Sequence, residues 1–555
     1  MLEEDQVVSR LDSVFARFLG QRTRLGAAEK QQFEHCVMAL SHQQNQGHNC
    51  IEIDDKTCDL MLSSGLANLA NQQDTLLPLV VDRNLLYLQR YWFYENRLAK
   101  QITAMLESPV GAGFVQTDEV LEKALDRYFQ AGLEQPDWQR AAAKMAVKHS
   151  FSMITGGPGT GKSTTVVKIL ALLQELSREP LLIALAAPTG KAAMRLQEAV
   201  GLHKALLPCA ETIKMHIPET VSTLHRLLGA KPLSPYFRHD AANPLVYDLV
   251  VVDEASMVDL ALMSKLLDAL KSGARLILLG DKDQLSSVES GSVLADLAAV
   301  ECLRDNVTTL KYSHRFDSQI KKLADAVNSQ QADAAWEILQ GSNETISLVK
   351  DEPAAYIARQ QADYLQRIES GARFEEVYPA FNRFQVLCSN RHGFNSVADI
   401  NRRVEQKLSG LKLIQLTGLW YSGRPVMVKQ NNPSLHLFNG DIGLCMPDPD
   451  QKVKLMVFFQ RADGSVKKYL PSRLPDCETV FAMTIHKSQG SEFEEVFIAL
   501  PDIINPVLTK ELLYTAITRA RKTIRLVATE AVFKAAVRQK VERMTGLVQQ
   551  FDFES

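Results

Sequence analysis

The chain has 555 residues, of which 46% are hydrophobic and 23% are charged, and 62 basic against 65 acidic residues give a formal net charge of −3. This length is too great for a single hydrophobic core, so several domains are expected. The balanced charge excludes a protein whose whole surface is a basic field, so any contact with nucleic acid must come from local groups.

Neither a membrane segment nor a cysteine framework is indicated. No uninterrupted run of about 18 apolar residues is present, which argues against a membrane span. The first ten residues are acidic and polar and lack the basic start of a secretory signal, so a cytoplasmic location is expected. The eight cysteines form no CxxC pair, which favours reduced, buried thiols over a zinc site or disulfides.

Residues 1–110 are predicted to form a helical N-terminal domain. Amphipathic patterns run through residues 7–18 and 85–98. The aromatic segment 80–99 is interpreted as a helix that buries its rings against its neighbours. A linker-like stretch, 108–118, follows it.

From about residue 119 the pattern changes to short apolar runs separated by helical stretches, which is typical of buried parallel strands with crossover helices. These runs lie at 151–155, 181–187, 246–252, 275–279, 384–389, 495–500 and 523–528. They predict an α/β protein with lobes at 111–345 and 346–555. Residues 411–480 have short strands and Asn-Gly, Pro-Asp and Asp-Gly turns, which predict a small β-barrel inserted into the second lobe.

The segment GGPGTGKS at 156–163 fits the phosphate-binding loop pattern and stands between a predicted strand and a predicted helix. In such loops glycines let backbone N–H groups surround the phosphates. Lys162 is expected to reach the β- and γ-phosphates, and the Ser163 hydroxyl to bind Mg²⁺. The predicted ATP-binding residues of this segment are Gly156, Gly157, Pro158, Gly159, Thr160, Gly161, Lys162, Ser163 and Thr164.

Two further acidic segments follow apolar strands. Asp253 is assigned to the Mg²⁺ shell and Glu254 to activation of the attacking water, although a DEA triplet could also be a helix cap. Gln284, in GDKDQL, is predicted to sense the γ-phosphate, where the alternative is a plain Asp-rich turn. Phosphate-binding loops serve kinases, GTPases, transporters and motors, so these segments alone establish only ATP chemistry.

Seven segments in order resemble the motif set of superfamily-one helicases, over residues from about 135 to 528. They are AAPTGKAAMRLQE (186–198), STLHRLLG (222–229), VVDEASM (251–257), GDKDQLSSVESG (280–291), YSHRF (312–316), AMTIHKSQGSEF (482–493) and LLYTAITRAR (512–521). The sequences of these segments are similar to those of the RecD group, within the 5′→3′ branch of these helicases. This resemblance implies two RecA-like lobes with ATP between them and an SH3-like barrel in the second lobe.

The resemblance also implies roles for individual residues. Gln139 would hydrogen-bond the adenine, and Arg315 and Arg519 would act as arginine fingers, where the alternative for either arginine is a surface ion pair. Hydroxyls, backbone N–H groups and single cations suit backbone phosphates. The implied DNA-binding residues are Pro188, Thr189, Gly190, Lys191, Thr223, His225, Thr484, His486, Lys487 and Ser488, and a lone histidine such as His225 could instead be structural.

The function implied is an ATP-dependent 5′→3′ translocase on single-stranded DNA. It would act with RecB-like and RecC-like subunits in a heterotrimer that processes duplex DNA ends. The aromatic N-terminal stretch resembles a partner-docking region, and exonuclease activity would belong only to the complex. The polarity rests on the resemblance alone. Three alternatives stay open: a stand-alone helicase of the same branch, an ATP-binding scaffold subunit, and an RNA helicase.

Overall fold

The computed structural model describes most of the chain. The described residues are 8–72, 76–108, 117–129, 137–286, 291–312, 318–341, 343–349, 352–432, 434–448, 450, 454–461 and 464–551. Among these residues, no helix combines the length and apolar character that crossing a membrane requires.

The N-terminal region combines helices with a small mixed sheet whose strand order is β1-β4-β3-β2. Its elements are α1 (Arg10–Gly20), α2 (Ala27–Asn45), β1 (Cys50–Glu52), α3 (Asp55–Ser63), β2 (Ala67–Leu69), β3 (Leu79–Asp82), β4 (Leu85–Leu88) and α4 (Gln89–Glu107).

The prediction of helix is correct for α1 to α4 but wrong for the short strands β1 and β2 and for residues 79–88. There, β3 and β4 pair as an antiparallel hairpin, and Arg83 in the turn has a left-handed φ of 56°. The apolar run 85–88 alternates between two buried faces of a sheet, and the helix begins only at Gln89. Short apolar runs of this kind suit a buried strand as well as a helix.

The first lobe is built on a six-stranded sheet of order β10-β5-β9-β8-β6-β7, and every adjacent pair is parallel. Its elements are α5 (Asp118–Tyr128), α6 (Trp138–Lys148), β5 (Phe151–Gly156), α7 (Lys162–Leu176), β6 (Ile183–Ala187), α8 (Gly190–Ala205), α9 (Glu211–Met215), β7 (Val221–Thr223), α10 (Leu224–Leu228), β8 (Leu249–Val252), α11 (Leu260–Asp268), β9 (Arg275–Gly280), α12 (Val293–Ala299) and β10 (Val307–Leu310). Strands β5, β6, β8 and β9 are buried throughout, as a parallel sheet covered on both faces requires.

The second lobe contains a five-stranded parallel sheet of order β11-β20-β19-β12-β18, and a separate antiparallel sheet of order β16-β15-β14-β13-β17 is inserted between β12 and β18. Its elements are α13 (Ser318–Asn328), α14 (Ala332–Gln340), β11 (Ile346–Leu348), α15 (Pro353–Glu369), α16 (Phe374–Phe381), β12 (Phe384–Cys388), α17 (Val397–Gly410), β13 (Pro425–Val428), β14 (Ile442–Pro447), β15 (Leu455–Gln460), β16 (Val466–Tyr469), β17 (Cys477–Thr479), β18 (Ala482–Thr484), β19 (Phe493–Ala499), α18 (Lys510–Ile517), β20 (Ala520–Val527) and α19 (Glu530–Arg538).

Two parallel sheets flanked by helices confirm the predicted α/β class with two RecA-like lobes. The inserted antiparallel sheet lies where the β-rich stretch was predicted, and its strands enclose a small core that includes Val426, Cys445 and Val457. Its classification as SH3-like and the domain limits at residues 110 and 345 stay predictions.

The C-terminal segment returns from the second lobe to the N-terminal region, which the sequence did not predict. The Asn49 N–H donates to the Met544 carbonyl at 2.9 Å, and the Thr545 hydroxyl donates to the Glu95 carboxylate at 2.8 Å. Leu547 and Phe551 pack into the core of the first lobe. This segment therefore joins the N-terminal region to the α/β lobes.

Candidate ATP cleft and nucleic-acid interface

The phosphate-binding loop connects buried β5 to α7. Gly161 precedes α7 in a left-handed conformation with φ of 82°, which glycine adopts at little cost. A Cβ added at Gly161 would lie 2.8 Å from the Gln139 side-chain nitrogen, so the amide of Gln139 packs directly against the loop. The Lys162 ammonium donates to the carbonyls of Gly156 at 2.5 Å and Gly157 at 3.1 Å. Lys162 and Gln139 thus both contact the phosphate-binding loop.

Asp253 and Glu254 follow the carboxyl end of β8. Burial, together with the neighbouring Glu254 charge, raises the pKa of Asp253 to about 6. The Asp253 carboxylate accepts a hydrogen bond from the Glu254 N–H at 2.9 Å. Glu254 has a left-handed φ of 52°, a conformation that costs a non-glycine residue about 1–3 kcal/mol and is often found at functional sites.

A buried hydrogen-bonded chain links Arg519, Gln284, Asp281 and Tyr514. Arg519 donates to the Gln284 side-chain oxygen at 3.0 Å, and the Gln284 amide nitrogen donates to Asp281 at 2.9 Å. The Tyr514 hydroxyl also donates to Asp281, at 3.1 Å. Burial raises the pKa of Asp281 and lowers the pKa of Arg519. Since Gln284 and Asp281 follow β9 whereas Arg519 and Tyr514 belong to the second lobe, the chain crosses between the lobes.

Gln284 and Arg519 of this hydrogen-bonded chain face a cleft of about 670 Å³ together with the phosphate-binding loop, Asp253 and Glu254. Its lining includes the predicted residues Gln139, Pro158, Gly159, Gly161, Lys162, Ser163, Thr164, Asp253, Glu254, Gln284 and Arg519. Gly156, Gly157 and Thr160 lie in the loop behind it, where the Thr160 hydroxyl donates to the Gly157 carbonyl at 2.8 Å. A cleft of this size with convergent charged groups suits a nucleotide. The predicted Arg315 lies outside the described residues.

In the first lobe the predicted DNA-binding residues lie at the carboxyl ends of β6 and β7. Thr189 caps α8 by accepting a hydrogen bond from the Ala192 N–H, so Pro188, Gly190 and Lys191 stand at the start of that helix. Burial, followed by the nearby Arg195 charge, lowers the pKa of Lys191 to about 8.

Thr223 and His225 occupy the neighbouring strand end. Thr223 caps α10 by accepting from the Arg226 N–H. His225 is exposed, and its ring packs edge-on against Phe237 at a centroid distance of 5.7 Å. Both interpretations of His225, DNA contact and structural packing, are compatible with this placement.

In the second lobe the predicted residues form the turn after β18. Thr484 caps a short 3₁₀ helix by accepting from the Lys487 N–H, and the Lys487 ammonium lies 2.6 Å from the Glu478 carboxylate. His486 is half-buried, and burial lowers its pKa. Ser488 is fully buried and its hydroxyl donates to the Ile485 carbonyl at 2.7 Å. The prediction that Ser488 contacts DNA is therefore not supported, because its side chain does not reach the surface.

Arg195 and Glu492 line the same cleft, and the sequence alone did not indicate a role for either. The Arg195 guanidinium lies 2.6 Å from the Glu492 carboxylate. Both residues stand inside the helicase-like segments 186–198 and 482–493, as Tyr514 stands inside 512–521. Charged or aromatic side chains inside these motifs were the available signal, but only the fold shows which of them meet.

Comparison with known proteins gives consistent matches. The model for the AAA domain matches residues 139–290, and that for the UvrD-like helicase C-terminal domain matches residues 479–527. The RecBCD enzyme subunit RecD of Mycolicibacterium smegmatis is 42% identical over 84% of this chain and 82% of its own length. The same subunit of Haemophilus influenzae is 34% identical over 93% of this chain and 88% of its own length.

Two further matches are more distant. The ATP-dependent RecD2 DNA helicase of Deinococcus radiodurans is 30% identical over 84% of this chain but only 58% of its own length. A crystal structure of Bacteroides Pif1 bound to ssDNA aligns with 17% identity and a TM-score of 0.41, over 72% of this chain and 94% of that one. This superposition is too loose to support a comparison of detail. The identities over most of both chains show that this protein belongs to the RecD family, named for a subunit of the RecBCD enzyme.

Proposed function

We propose that this chain is an ATP-dependent 5′→3′ single-stranded DNA translocase and helicase, and that it works as the RecD subunit of a RecBCD-type complex that processes duplex DNA ends. The single observation that carries the proposal is the cleft between the lobes. It brings Lys162, Glu254, Gln284 and Arg519 together, beside segments whose polar groups suit a nucleic-acid backbone.

Each residue of the cleft has a role that its chemistry supports. The Lys162 ammonium exchanges the loop carbonyls for the β- and γ-phosphate oxygens when ATP enters. Glu254 accepts the proton of the attacking water, and Gln284 orients that water or the γ-phosphate. Arg519 stabilises negative charge that develops on the transferred phosphoryl group. Because Arg519 comes from the second lobe, full activity requires the two lobes to be in contact.

Mg²⁺ fits the residues that the cleft presents. Ser163 and Asp253 supply the oxygen ligands that this ion prefers, and both line the cleft beside Lys162. The raised pKa of Asp253 reflects a buried carboxylate whose charge a divalent cation would stabilise. Bound there, the ion would neutralise charge on the phosphates.

The proposed DNA path joins the turns at 189–191 and 223–225 in the first lobe to the turn at 484–487 in the second. Each turn offers a capping hydroxyl at a helix start, where backbone N–H groups point outward. Such groups bind phosphates without reading base sequence. The 5′→3′ direction is taken from the family and not from these contacts.

Membership of a complex is favoured over the stand-alone alternative. The chain is 42% and 34% identical to the RecD subunits of M. smegmatis and H. influenzae, against 30% to the RecD2 helicase of D. radiodurans. The partners are then RecB and RecC. Gentle purification of the tagged chain from its own cell tests this directly. Two larger chains in equimolar ratio, one with a nuclease domain, are expected, whereas a lone 61.9 kDa species with full helicase activity would contradict the proposal.

A further inference from the structure

The Arg195–Glu492 ion pair crosses the ATP cleft and connects the two halves of the proposed DNA path. Arg195 is on α8 in the first lobe, and Glu492 precedes β19 in the second. Their charged groups are 2.6 Å apart, and the Glu492 side chain is only 6% exposed. The Arg195 side chain is 30% exposed, so the pair is partly buried and is screened less by solvent than a fully exposed pair.

On the first lobe, one helical turn separates the pair from the DNA path. Lys191 lies in the first turn of α8, and Arg195 follows four residues later. Side chains four residues apart share one face of a helix. The Arg195 charge contributes to the lowered pKa of Lys191, because the two positive charges repel each other. A phosphate that binds Lys191 therefore changes the electrostatic surroundings of Arg195.

On the second lobe the spacing is equally short. Glu492 follows the 3₁₀ turn 485–488, which carries His486 and Lys487 of the proposed path. Between them, Gly490 has a left-handed φ of 69°, and a Cβ there would lie 3.6 Å from the Cβ of Ala192 on α8. The two DNA-facing segments thus contact each other at the place where the ion pair forms.

The pair also faces the catalytic groups. Arg195 and Glu492 line the cleft with Lys162, Asp253 and Glu254, and the charges of Glu254 and Asp253 act on Arg195. An anionic triphosphate entering this cleft competes with Glu492 for Arg195. Both ligands can therefore influence this ion pair. ATP acts on it from the cleft, and the DNA strand acts on it through the start of α8 and the turn 485–488.

We propose that the Arg195–Glu492 pair couples DNA binding to ATP binding, with Arg195 acting as a positioning residue between the DNA path and the cleft. This inference rests on the proposed function, because it needs a DNA strand on Lys191 and ATP on Lys162. The coupling is reciprocal: the factor by which single-stranded DNA changes the affinity for ATP equals the factor by which ATP changes the affinity for DNA.

The chain offers a matched control. The Arg521 guanidinium also contacts the Glu492 carboxylate, at 3.0 Å, and lines the same cleft, but Arg521 and Glu492 both belong to the second lobe. Removing Arg521 deletes an ion pair to the same carboxylate without deleting the contact between lobes. Comparing Arg195→Ala with Arg521→Ala therefore distinguishes the loss of the ion pair between the lobes from the loss of a positive charge next to Glu492.

The experiment measures the dissociation constant of a non-hydrolysable ATP analogue with Mg²⁺, with and without saturating oligo(dT), for the assembled complex. Wild type and Arg521→Ala are expected to show at least fivefold tighter binding with DNA. Arg195→Ala is expected to reduce this ratio to below about twofold. The measured quantity is a ratio, so a uniform loss of affinity does not imitate the result.

Two outcomes would overturn the inference. In the first, DNA changes the affinity for the ATP analogue by the same ratio in Arg195→Ala as in the wild type. This result would show that the ion pair does not couple the two sites, and it would leave the proposed function intact. A wild-type complex that binds no oligo(dT) through this chain contradicts the proposed function itself and the inference with it.

Discussion

Arg519 of the second lobe donates a hydrogen bond to Gln284 of the first lobe at 3.0 Å, in the wall of the ATP cleft. The same guanidinium donates to the carbonyls of Thr515 and Ser491, and Arg519 is only 2% exposed. A buried arginine that donates three hydrogen bonds to protein oxygens is held in one orientation. The residues proposed for hydrolysis therefore form a complete set only while the lobes touch, which gives ATP a means of controlling their separation.

Replacement of Arg519 by alanine should lower the rate of DNA-stimulated ATP hydrolysis at least about 100-fold, because arginine fingers contribute to the transition state of phosphoryl transfer. Binding of an ATP analogue should change much less. Steady-state kcat and analogue affinity of the complex measure the two effects. Lys522→Ala is the control, since Lys522 lies three residues on, is 69% exposed and pairs only with Glu494 among the described ion pairs. Equal rates for both variants would contradict the role of Arg519.

Glu254→Gln should retain nucleotide binding and lose turnover by about 10²–10⁴-fold, the usual contribution of a general base. Glutamine has nearly the same shape, so the left-handed backbone at this position is disturbed no more than in the wild type. The measurement is single-turnover hydrolysis with the complex in excess over ATP. Turnover within a few-fold of wild type would assign proton removal to another group.

Lys191→Ala should weaken binding of single-stranded DNA and flatten its salt dependence. For each phosphate of a single strand that the protein no longer neutralises, the slope of log K against log salt falls by about 0.7. Fluorescence anisotropy of labelled oligo(dT) at several salt concentrations and pH 7 gives this slope, because a pKa of about 8 leaves Lys191 charged there. Lys148→Ala, at an exposed helix end, should leave the slope unchanged, and an unchanged slope in Lys191→Ala would remove this residue from the path.

The attachment of the C-terminal segment should depend on pH through Glu95. Burial raises the pKa of this carboxyl group from 4.5 to about 7. The Glu95 carboxyl group thus binds its proton more tightly in the folded state than in the open state. The contribution of this proton to stability is full below about pH 4.5 and is lost as the pH rises through about 7. Between pH 6 and pH 8 the free energy of opening of residues 544–551 should fall by about 1 kcal/mol.

Hydrogen-exchange protection factors across residues 544–551 test this dependence. Glu95→Gln should remove it, because glutamine cannot titrate, whereas Glu107→Gln on the exposed end of the same helix should not. Asp296, whose pKa burial raises to about 7, titrates in the same range, and the comparison of variants isolates Glu95 from it. A pH dependence that survives in Glu95→Gln would assign the effect to another group.

The lobes and the ATP cleft could be predicted because their signals are local. Buried parallel strands are continuous apolar runs, so the predicted strands at 151–155 and 275–279 lie within one residue of β5 and β9. The phosphate-binding loop is contiguous and leads from the end of β5 to Lys162 at the start of α7, and the position of Asp253 at the end of β8 follows from sheet geometry. Gln284 was predicted from its place after a strand and Arg519 through the resemblance, and the fold brings them into contact across the lobes.

What could not be predicted depends on long-range packing. The hairpin at 79–88 has the composition of a buried helix, and only its pairing with β1 and β2 distinguishes the two. The contacts of Thr545 with Glu95 and of Arg195 with Glu492 join residues far apart in sequence. Motif similarity groups Ser488 with its neighbours, but the 3₁₀ turn directs its hydroxyl inward.

Unwinding of tailed duplexes by the assembled complex tests the central claim most directly. Wild type and Lys162→Gln are compared on a duplex with a 5′ single-stranded tail and on one with a 3′ tail, under the same salt and ATP conditions. A 5′→3′ motor powered by this cleft predicts that the substitution abolishes unwinding that starts from the 5′ tail, because Lys162 can no longer neutralise the phosphates of ATP. Unwinding of the 5′-tailed duplex at the wild-type rate by Lys162→Gln would contradict it.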